Sequence, residues 1–355
     1  MIRARSTARP RSARTLQRVT EATHSRRKLI GRIAFLAITL IAFYFVLPGL
    51  LATFDALPRL RDVYPAWFAV VLVLEGASFL AIWELQRIAL GAKSWFDVAC
   101  SHTAGNAVGR AVPGGVAAGG ALQLKMLAQV GFDIPTATTA LAAAGLLSTA
   151  ILFALPVLAL PAVPFVAINQ QLIEGALLAV FLFFVLLAVS AWLIRSDRAV
   201  AGLGRGIGWV TRRLHIGDGS DLGDRVVESR NVIRHALRHS WKRAVPAAAA
   251  NQLFDFLALE ASLLAVGASV DPLLVLLAYV AAATLSMIPI TPGGLGFVEA
   301  GLAGVLTLAG ASPDEAVLAT LLYRLFSYWL PLPLGLGASI AFSRRHRTAS
   351  PTATS

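Results

Sequence analysis

Long apolar runs are the feature that most constrains the fold of this chain. A helix needs about 20 consecutive apolar residues to cross the hydrocarbon core of a bilayer. The chain is 57% hydrophobic and only 14% charged, which is too little charge to cover the surface of a water-soluble protein of 355 residues. The sequence therefore predicts an all-α fold, a polytopic transmembrane helical bundle. Its apolar runs lie at about 33–53, 65–90, 136–160, 171–194, 245–267 and 315–341.

The formal net charge of +12 comes from basic clusters that lie between and beyond the apolar runs. Residues 1–32 carry ten Lys and Arg against one acidic residue, and 195–244 and 342–355 are also basic. Such segments stay on the cytoplasmic side and favour anionic headgroups, which argues against nucleic acid as their partner. We expect a disordered cytoplasmic arm at 1–32, a single transmembrane domain at 33–341 and a disordered cytoplasmic tail at 342–355.

Two helix-breaking Pro-Gly-Gly sequences mark an internal repeat. In each copy a Gly follows the Pro after 18 residues, a second Pro opens the next apolar run, and a Glu stands seven residues before an upstream Gly. Counting the spans from a cytoplasmic N-terminus gives the two copies opposite orientations. We therefore predict inverted repeats at about 65–160 and 245–341, joined by an amphipathic cytoplasmic linker at 195–244. The matching pairs are Pro113 and Pro292, Gly131 and Gly310, Pro135 and Pro313, Glu84 and Glu260, and Gly91 and Gly267.

The two predicted broken hairpins, 95–131 and 272–311, are expected to line a site at mid-membrane. Backbone that is not helical is tolerated at membrane depth only against protein or a water-filled cavity. The helix that begins after each break points its N–H groups and positive dipole end toward the membrane centre, which suits an anionic group such as a phosphate. The predicted apex residues are Pro113, Gly114, Gly115, Pro292, Gly293, Gly294 and Gly296.

Charged residues inside the apolar runs supply further candidates, because charges at membrane depth usually face a bundle interior or a cavity. Arg324 is predicted as a phosphate clamp, with Glu299 as its partner or as a proton-linked group. The alternative is a buried ion pair that only locks the second hairpin to the last helix. Glu84 and Arg87, at i and i+3, are predicted to form a structural pair at the interface. The candidate headgroup or cavity residues are Arg324, Glu299, Arg110, Lys125, Asp255, Glu260 and Tyr323, and Glu75 is a further charge outside this set.

The sequence indicates neither an enzyme nor a metal or cofactor site. Its six His residues lack HExxH or comparable metal spacing, and the single Cys100 cannot build a thiolate cluster. No Walker-type phosphate loop is present, so nucleotide bound to this chain is not expected to drive transport.

Three segments resemble the membrane domain of the lysylphosphatidylglycerol synthase/flippase family. They are 112-VPGGVAAGGALQLKMLAQVG-131, 278-AYVAAATLSMIPITPGGLGFVEAGLAGVLTLAG-310 and 316-AVLATLLYRLFSYWLPLPLG-335. The resemblance covers roughly residues 30–342 and implies handling or translocation of a phospholipid or polyprenyl-type lipid in a bacterial cytoplasmic membrane. Gln123 and Lys125 stand where many relatives have an Arg. The family motif matches at Pro292, Gly293, Gly294, Gly296, Glu299 and Arg324.

Bifunctional members of that family append an aminoacyl-transferase domain, for which this chain has no room after its last helix, so lysyl transfer is not expected. We predict a flippase or transporter that moves an anionic lipid across the cytoplasmic membrane, with both termini cytoplasmic. The expected partners are membrane lipids with anionic headgroups, with a homo-oligomer or a lipid-modifying enzyme as further candidates. Two alternatives remain: a non-transporting partner of a lipid- or glycan-modifying enzyme, and a small-solute or ion-coupled transporter.

Overall fold

The structure, a computed structural model, describes residues 60–61, 63–111, 115–159, 181, 222–286 and 294–347. The regular secondary structure of these ranges is entirely helical, which confirms the predicted all-α class. The predicted arm, the apolar run 33–53 and nearly all of 171–194 lie outside the described residues. Three described stretches are long and apolar enough to cross a membrane, namely Pro65–Leu90, Ile134–Pro156 and Pro313–His346.

Nine α-helices can be followed through the described ranges. The segments that separate these helices contain mainly Gly, Pro and Ser, the residues that signal turns in the sequence. The last helix continues to Arg347, into the segment predicted as a tail. The helices are α1 (Pro65–Leu90), α2 (Trp95–Ala111), α3 (Gly115–Gln129), α4 (Ile134–Ala159), α5 (Leu222–Ala265), α6 (Pro272–Ser286), α7 (Phe297–Leu308), α8 (Pro313–Arg324) and α9 (Pro331–Arg347).

The order of elements recurs in the two halves of the chain. α1 is followed by the hairpin α2–α3 and then by α4, while α5 is followed by the hairpin α6–α7 and then by α8. The glycines that end equivalent helices also correspond, because Gly91, Gly131, Gly267 and Gly310 all have positive φ. Glycine adopts this conformation without steric cost and so ends a helix readily. The recurrence agrees with the predicted repeat, and the opposite orientation of its copies stays a prediction.

The helices of both hairpins are short for a membrane crossing. α6 has 15 residues and α7 has 12, whereas α2 and α3 have 17 and 15. At 1.5 Å per residue, α6 and α7 measure about 22 and 18 Å, against about 30 Å for the hydrocarbon core. Within the described residues, α6 and α7 are therefore each shorter than the hydrocarbon core is thick.

The first hairpin is packed closely through glycines. A Cβ at Gly119 of α3 would collide with the backbone carbonyl of Gly105 in α2. α9 lies against the same hairpin, and a Cβ at Gly335 would collide with the carbonyl of Thr103. Such close approach leaves little freedom for α2, and this fixes the position of Arg110 near its C-terminal end.

The long helices α1 and α5 pack along each other. Asn251 of α5 donates to the hydroxyl of Ser78 in α1 at 2.9 Å and to its carbonyl at 3.1 Å. Toward the C-terminal end of α1, Arg87 donates two hydrogen bonds to Glu84, at 2.7 and 2.8 Å, and Arg243 approaches the same carboxylate at 3.3 Å. The predicted Glu84–Arg87 pair is therefore formed.

α5 has 44 residues and contains Pro246. The helical end of the predicted linker thus runs into the following apolar segment without a break, and the expected boundary near 244–245 is not a helix end. Whether the linker lies on headgroups stays a prediction.

The last apolar run is not one regular α-helix. A π-helical segment, Leu325–Trp329, joins α8 to α9, and the N–H of Leu330 donates to the carbonyl of Leu325 at 2.9 Å. A π turn inserts one extra residue per turn and occurs frequently at functional sites. Ser327 and Tyr328 of this segment are both buried.

Candidate functional site

A polar cavity of about 320 Å³ lies among α1, α2, α5, α6, α7, α8 and the π segment. Ionisable groups from several of these elements converge on it, although a charge inside an apolar bundle is costly unless it is paired or serves a cavity. Such convergence marks the cavity as the candidate site. The ionisable residues in its wall include Glu75, His102, Arg110, Asp255, Tyr323 and Arg324.

Arg324, at the end of α8, forms a buried ion pair with Glu299 in the first turn of α7. Its Nε and Nη2 atoms each lie 2.7 Å from Glu299 Oε1. The other carboxylate oxygen of Glu299 accepts the backbone N–H of Gly296 at 2.6 Å. The N-terminus of α7 was expected to present its backbone N–H groups to a bound anion. One of these groups, the N–H of Gly296, already donates to the Glu299 carboxylate. The pair ties the second hairpin to α8.

Arg110, at the end of α2, is the second arginine of the cavity. Its guanidinium donates a hydrogen bond to the carbonyl of Ser327, and the Tyr328 hydroxyl donates to the carbonyl of Arg110 at 3.1 Å. The Tyr328 ring contacts both arginines, with its centroid 5.4 Å from Cζ of Arg110 and 4.3 Å from Cζ of Arg324. Cation–π contact on this ring favours both guanidinium groups in one place. The cavity thus contains two neighbouring cations.

Asp255 of α5 accepts hydrogen bonds from two tyrosines on other helices. The hydroxyl of Tyr279 in α6 lies 2.7 Å from Oδ2, and that of Tyr323 in α8 lies 2.9 Å from Oδ1. Asp255 therefore connects the second hairpin to α8 through α5.

A buried chain of side chains ends at the cavity. Gln123 of α3 donates to Oε1 of Gln86 at 2.8 Å, and Nε2 of Gln86 lies 2.9 Å from Nδ1 of His102. Since Oε1 of Gln86 is the acceptor in this chain, its Nε2 is the donor and His102 Nδ1 accepts. His102 is therefore the neutral tautomer. Gln123 serves this internal chain.

The structure gathers most of the predicted site residues but not all of them. Arg324, Arg110, Asp255 and Tyr323 line the cavity, and Glu299 bonds to Arg324. Two predicted residues lie elsewhere, because Lys125 is exposed on α3 and Glu260 is half-buried on α5, away from the cavity wall.

The predicted apices are described in part. Gly115 is the first residue of α3, and Gly294 and Gly296 have φ of 73° and 76°, which is a conformation that favours glycine. Pro113, Gly114, Pro292 and Gly293 lie outside the described residues.

Glu75 of α1 and Tyr279 of α6 were not in the predicted set, yet both line the cavity. Glu75 is only 3% exposed. Its sequence signal was present, since it is a carboxyl group in the middle of an apolar run. Its place in the middle of the run, away from the Glu84–Arg87 pair near the end of the same helix, was the signal that could have found it.

An apolar groove of about 660 Å³ adjoins the cavity between α1, α2 and α9. Its wall consists mainly of aliphatic and aromatic side chains such as Leu72, Leu80 and Leu334, which are all exposed. Glu75 and Phe79 line both the groove and the polar cavity. The polar end of an amphipathic molecule fits the cavity, and its apolar body fits the groove.

Comparison with known proteins identifies related sequences. Part of the chain is 33% identical to a "UPF0104 membrane protein" of Methanothermobacter thermautotrophicus over 91 residues, which is 26% of each chain. A second relative with the same name and organism is 34% identical over 74 residues, which is 21% of this chain and 22% of the relative. The chain spans about a quarter of the length of these curated relatives.

A match over most of the chain is given by a family model. The model described as "Lysylphosphatidylglycerol synthase TM region" matches residues 29–335, a range that contains the cavity, both hairpins and all of the groove wall except Ala338. The resemblance noted in the sequence is thereby confirmed, and the chain belongs to the family of the lysylphosphatidylglycerol synthase transmembrane region.

Proposed function

We propose that this protein moves an anionic lipid across the membrane, with the headgroup in the polar cavity and the hydrocarbon chains in the apolar groove. The observation that carries the proposal is that the two spaces share the wall formed by Glu75 and Phe79. A small water-soluble solute needs only the cavity, whereas a lipid uses both spaces. The family match supports a lipid-related role in the membrane.

Arg110 is the proposed primary contact of the headgroup. Guanidinium presents five N–H donors in a planar fork that matches phosphate oxygens. The ion pair with Glu299 already neutralises Arg324, while Arg110 has a carbonyl and an aromatic ring as its described partners. Arg324, whose Cζ lies 4.3 Å from the centroid of the shared Tyr328 ring, is then a second contact of the headgroup rather than the first clamp.

The proposed setting is a bacterial cytoplasmic membrane, with both termini cytoplasmic and the two repeats inverted. Anionic lipids are the proposed partners, and the activity is transport without covalent chemistry. Single cysteines at 161–170 and in 195–244 test the orientation in intact cells. Labelling of both segments from the same side by a membrane-impermeant thiol reagent contradicts the inverted arrangement.

The proposal is tested with purified protein in liposomes that contain a fluorescent phosphatidylglycerol. A membrane-impermeant quencher reports how much label crosses to the other leaflet. We expect the protein to accelerate this movement. Arg110→Gln should slow it about tenfold or more, because a hydrogen bond to a charged group contributes about 1.5–3 kcal/mol and 1.4 kcal/mol is tenfold.

A groove variant separates a lipid from a small solute. Gly76 lines the groove, and a Cβ added there meets no atom within 4 Å, so Gly76→Leu fills the groove without a backbone clash. Gly145→Leu on α4 is the matched control, because a Cβ there is equally free and Gly145 does not line the groove. We expect only Gly76→Leu to slow the lipid. Equal rates for both variants, or no movement of labelled lipid by the wild type, contradict the proposal.

A further inference from the structure

The side-chain hydrogen bonds between the first hairpin and α1 form a chain with one direction. Gln123 Nε2 donates to Gln86 Oε1 at 2.8 Å, and Gln86 Nε2 lies 2.9 Å from His102 Nδ1. Reversing one amide alone brings two NH₂ groups or two oxygens together. Gln86 therefore donates to Nδ1, and neutral His102 has its only ring hydrogen on Nε2. Both Gln side chains are 8% exposed, so bulk water does not replace these bonds.

The Nε2–H group of His102 is turned toward the cavity. His102 lines the cavity, whereas Gln86 and Gln123, on the Nδ1 side of the ring, do not. The two ring nitrogens point away from each other, so the bond at Nδ1 directs Nε2 to the cavity side. Among the residues that the structure describes, Nε2 has no hydrogen-bond partner. An N–H group inside an apolar bundle is costly without a partner, and a molecule in the cavity can supply one.

His102 lies where the polar cavity meets the apolar groove. Its ring is in edge-to-face contact with Phe79, with the ring centroids 6.4 Å apart, and Phe79 lines both spaces. The next residue of α2, Thr103, lines the groove. In a phospholipid the phosphate joins the apolar chains to the rest of the headgroup. A phospholipid with its chains in the groove and its headgroup in the cavity therefore has its phosphate at this junction.

Neutral His102 adds a hydrogen-bond donor to the cavity without adding a charge. The phosphate of a phosphodiester has acceptor oxygens only, so a ring N–H attracts it, whereas the lone pair of an unprotonated ring nitrogen repels it. The position of one hydrogen thus decides whether His102 helps or hinders an anion. The titratable and charged groups around it in the walls of the cavity and groove are Glu75 of α1, Cys100 and Arg110 of α2, Asp255 of α5, Tyr279 of α6, and Tyr323 and Arg324 of α8, the last paired with Glu299 of α7.

We infer that His102 binds the phosphate of the lipid as a neutral N–H donor, and that Gln86 and Gln123 are positioning residues that keep this hydrogen on Nε2. The tautomer stands on the geometry of the chain and needs no substrate. The contact with a lipid phosphate rests on the proposed function.

Nitrogen NMR of the full-length protein with ¹⁵N-labelled histidine, in lipid nanodiscs at neutral pH, tests the tautomer. The spectrum of the wild type minus that of His102→Gln isolates one ring, in which we expect Nε2 to be protonated and Nδ1 not. If His102→Gln does not fold, replacing the other five His residues by Gln leaves His102 as the only labelled ring. A hydrogen on Nδ1 in the wild type overturns the inference.

Two Gln variants test the positioning role in the same spectra. Gln86→Leu removes the donor to Nδ1, so both tautomers of His102 should appear. Gln252→Leu is the matched control, because Gln252 is an amide of α5 that bonds to Ser148 and Tyr279 instead, and the His102 signals should stay as in the wild type. A single unchanged tautomer in Gln86→Leu overturns the positioning role.

Added ligands test the contact at Nε2. A short-chain phosphatidylglycerol should shift the Nε2 signal of His102 in the wild type, and inorganic phosphate at the same concentration should shift it less, because it leaves the groove empty. No shift with the lipid, or a shift with inorganic phosphate alone, overturns the contact with a lipid phosphate.

Gln86→Glu turns the donor around and gives a transport readout that a structural role does not move. A carboxylate beside Nδ1 accepts a hydrogen from it, so the neutral ring then presents its Nε2 lone pair to the phosphate. Relative to the wild type at the same pH, movement of fluorescent phosphatidylglycerol should be about tenfold slower at high pH, where the bond to the phosphate is lost. It should recover at low pH, where a second proton restores Nε2–H.

Gln86→Leu separates this effect from simple damage to the fold. Its rate relative to the wild type should not depend on pH, because its ring has no carboxylate beside it. Equal pH profiles for Gln86→Glu and Gln86→Leu overturn the role of the Nε2 hydrogen in transport. If His102 has the expected tautomer but the wild type moves no lipid, the positioning chain stands and the proposed function fails.

Discussion

Replacing Glu299 by Gln tests whether water is excluded from the contact between the second hairpin and α8. Glu299 Oε1 lies 2.7 Å from both Nε and Nη2 of Arg324, and the two residues are 8% and 9% exposed. Removing one partner of a buried pair leaves an unpaired charge and costs about 3–5 kcal/mol, whereas an exposed pair contributes about 0–1 kcal/mol. Gln keeps an acceptor for the Gly296 N–H, so this hydrogen bond need not be lost. We expect Glu299→Gln to lower the free energy of unfolding by about 3 kcal/mol or more.

The assay is reversible unfolding of the purified protein in mixed micelles with increasing dodecyl sulfate, followed by near-ultraviolet circular dichroism. Arg324→Met completes a double-mutant cycle, and the double variant should lose less stability than the sum of the single variants, because it buries no unpaired charge. Glu84→Gln is the control. Its pair with Arg87 has side chains that are 24% and 23% exposed, so its loss should stay below about 1 kcal/mol.

Two outcomes refute this reasoning. A loss below about 1 kcal/mol for Glu299→Gln means that water reaches the pair. Single-variant losses that simply add mean that Glu299 and Arg324 do not interact. Either result removes the dry junction between α7 and α8 on which the cavity wall depends.

Three further predictions follow from contacts outside the cavity. Gly119→Ala should destabilise the protein, because the new Cβ collides with a facing backbone carbonyl of α2. Gly120→Ala is the control and should not, since its Cβ meets no atom within 4 Å. Thermal unfolding in detergent compares the two variants. Ser312→Ala should lower the free energy of unfolding by about 1 kcal/mol, because its hydroxyl caps α8 by accepting an N–H at 3.3 Å, and the same dodecyl sulfate titration measures this. Lys125→Ala should leave the rate of labelled lipid movement unchanged, because Lys125 is exposed and does not line the cavity. A slowed Lys125→Ala variant would place the headgroup path along α3.

The helices and their breaks could be predicted from run length and turn residues. Gly131 and Gly310 end α3 and α7 with positive φ, and Pro313 opens α8, as their spacing from the Pro-Gly-Gly sequences indicates. Pro331 and Pro333 in the run 315–341 signal a disturbed helix, but the sequence does not show that the disturbance takes the form of the π segment Leu325–Trp329. The bonds of Ser327 and Tyr328 to Arg110 are tertiary contacts, and they do not show in the local sequence.

The members of the site could be predicted only in part, because a charge in an apolar run does not reveal which way it faces. Asp255 and Glu260 both lie on α5, and both are acidic residues within the apolar run 245–267. Five residues at about 100° each place them about 140° apart, so only one of them can face the cavity. Glu75 and Glu84 on α1 are nine residues apart, which places them on about opposite faces. The phase of each helix is set by packing against its neighbours, and this information lies outside its own sequence.

The stretch Tyr323–Tyr328, at the end of α8 and in the π segment, holds together the helices that surround the cavity. Tyr323 donates to Asp255, and Arg324 pairs with Glu299. The carbonyl of Ser327 accepts from Arg110, whose own carbonyl accepts from the Tyr328 hydroxyl. The end of α8 and the π segment therefore bond to α5 and to both hairpins within six residues. Because the first hairpin is bound through the π segment and the second through the regular turn before it, the two attachments are structurally separate even though they are adjacent in sequence. The adjacent residues Tyr323 and Arg324 thus lie at the point where both halves of the chain are joined around one cavity.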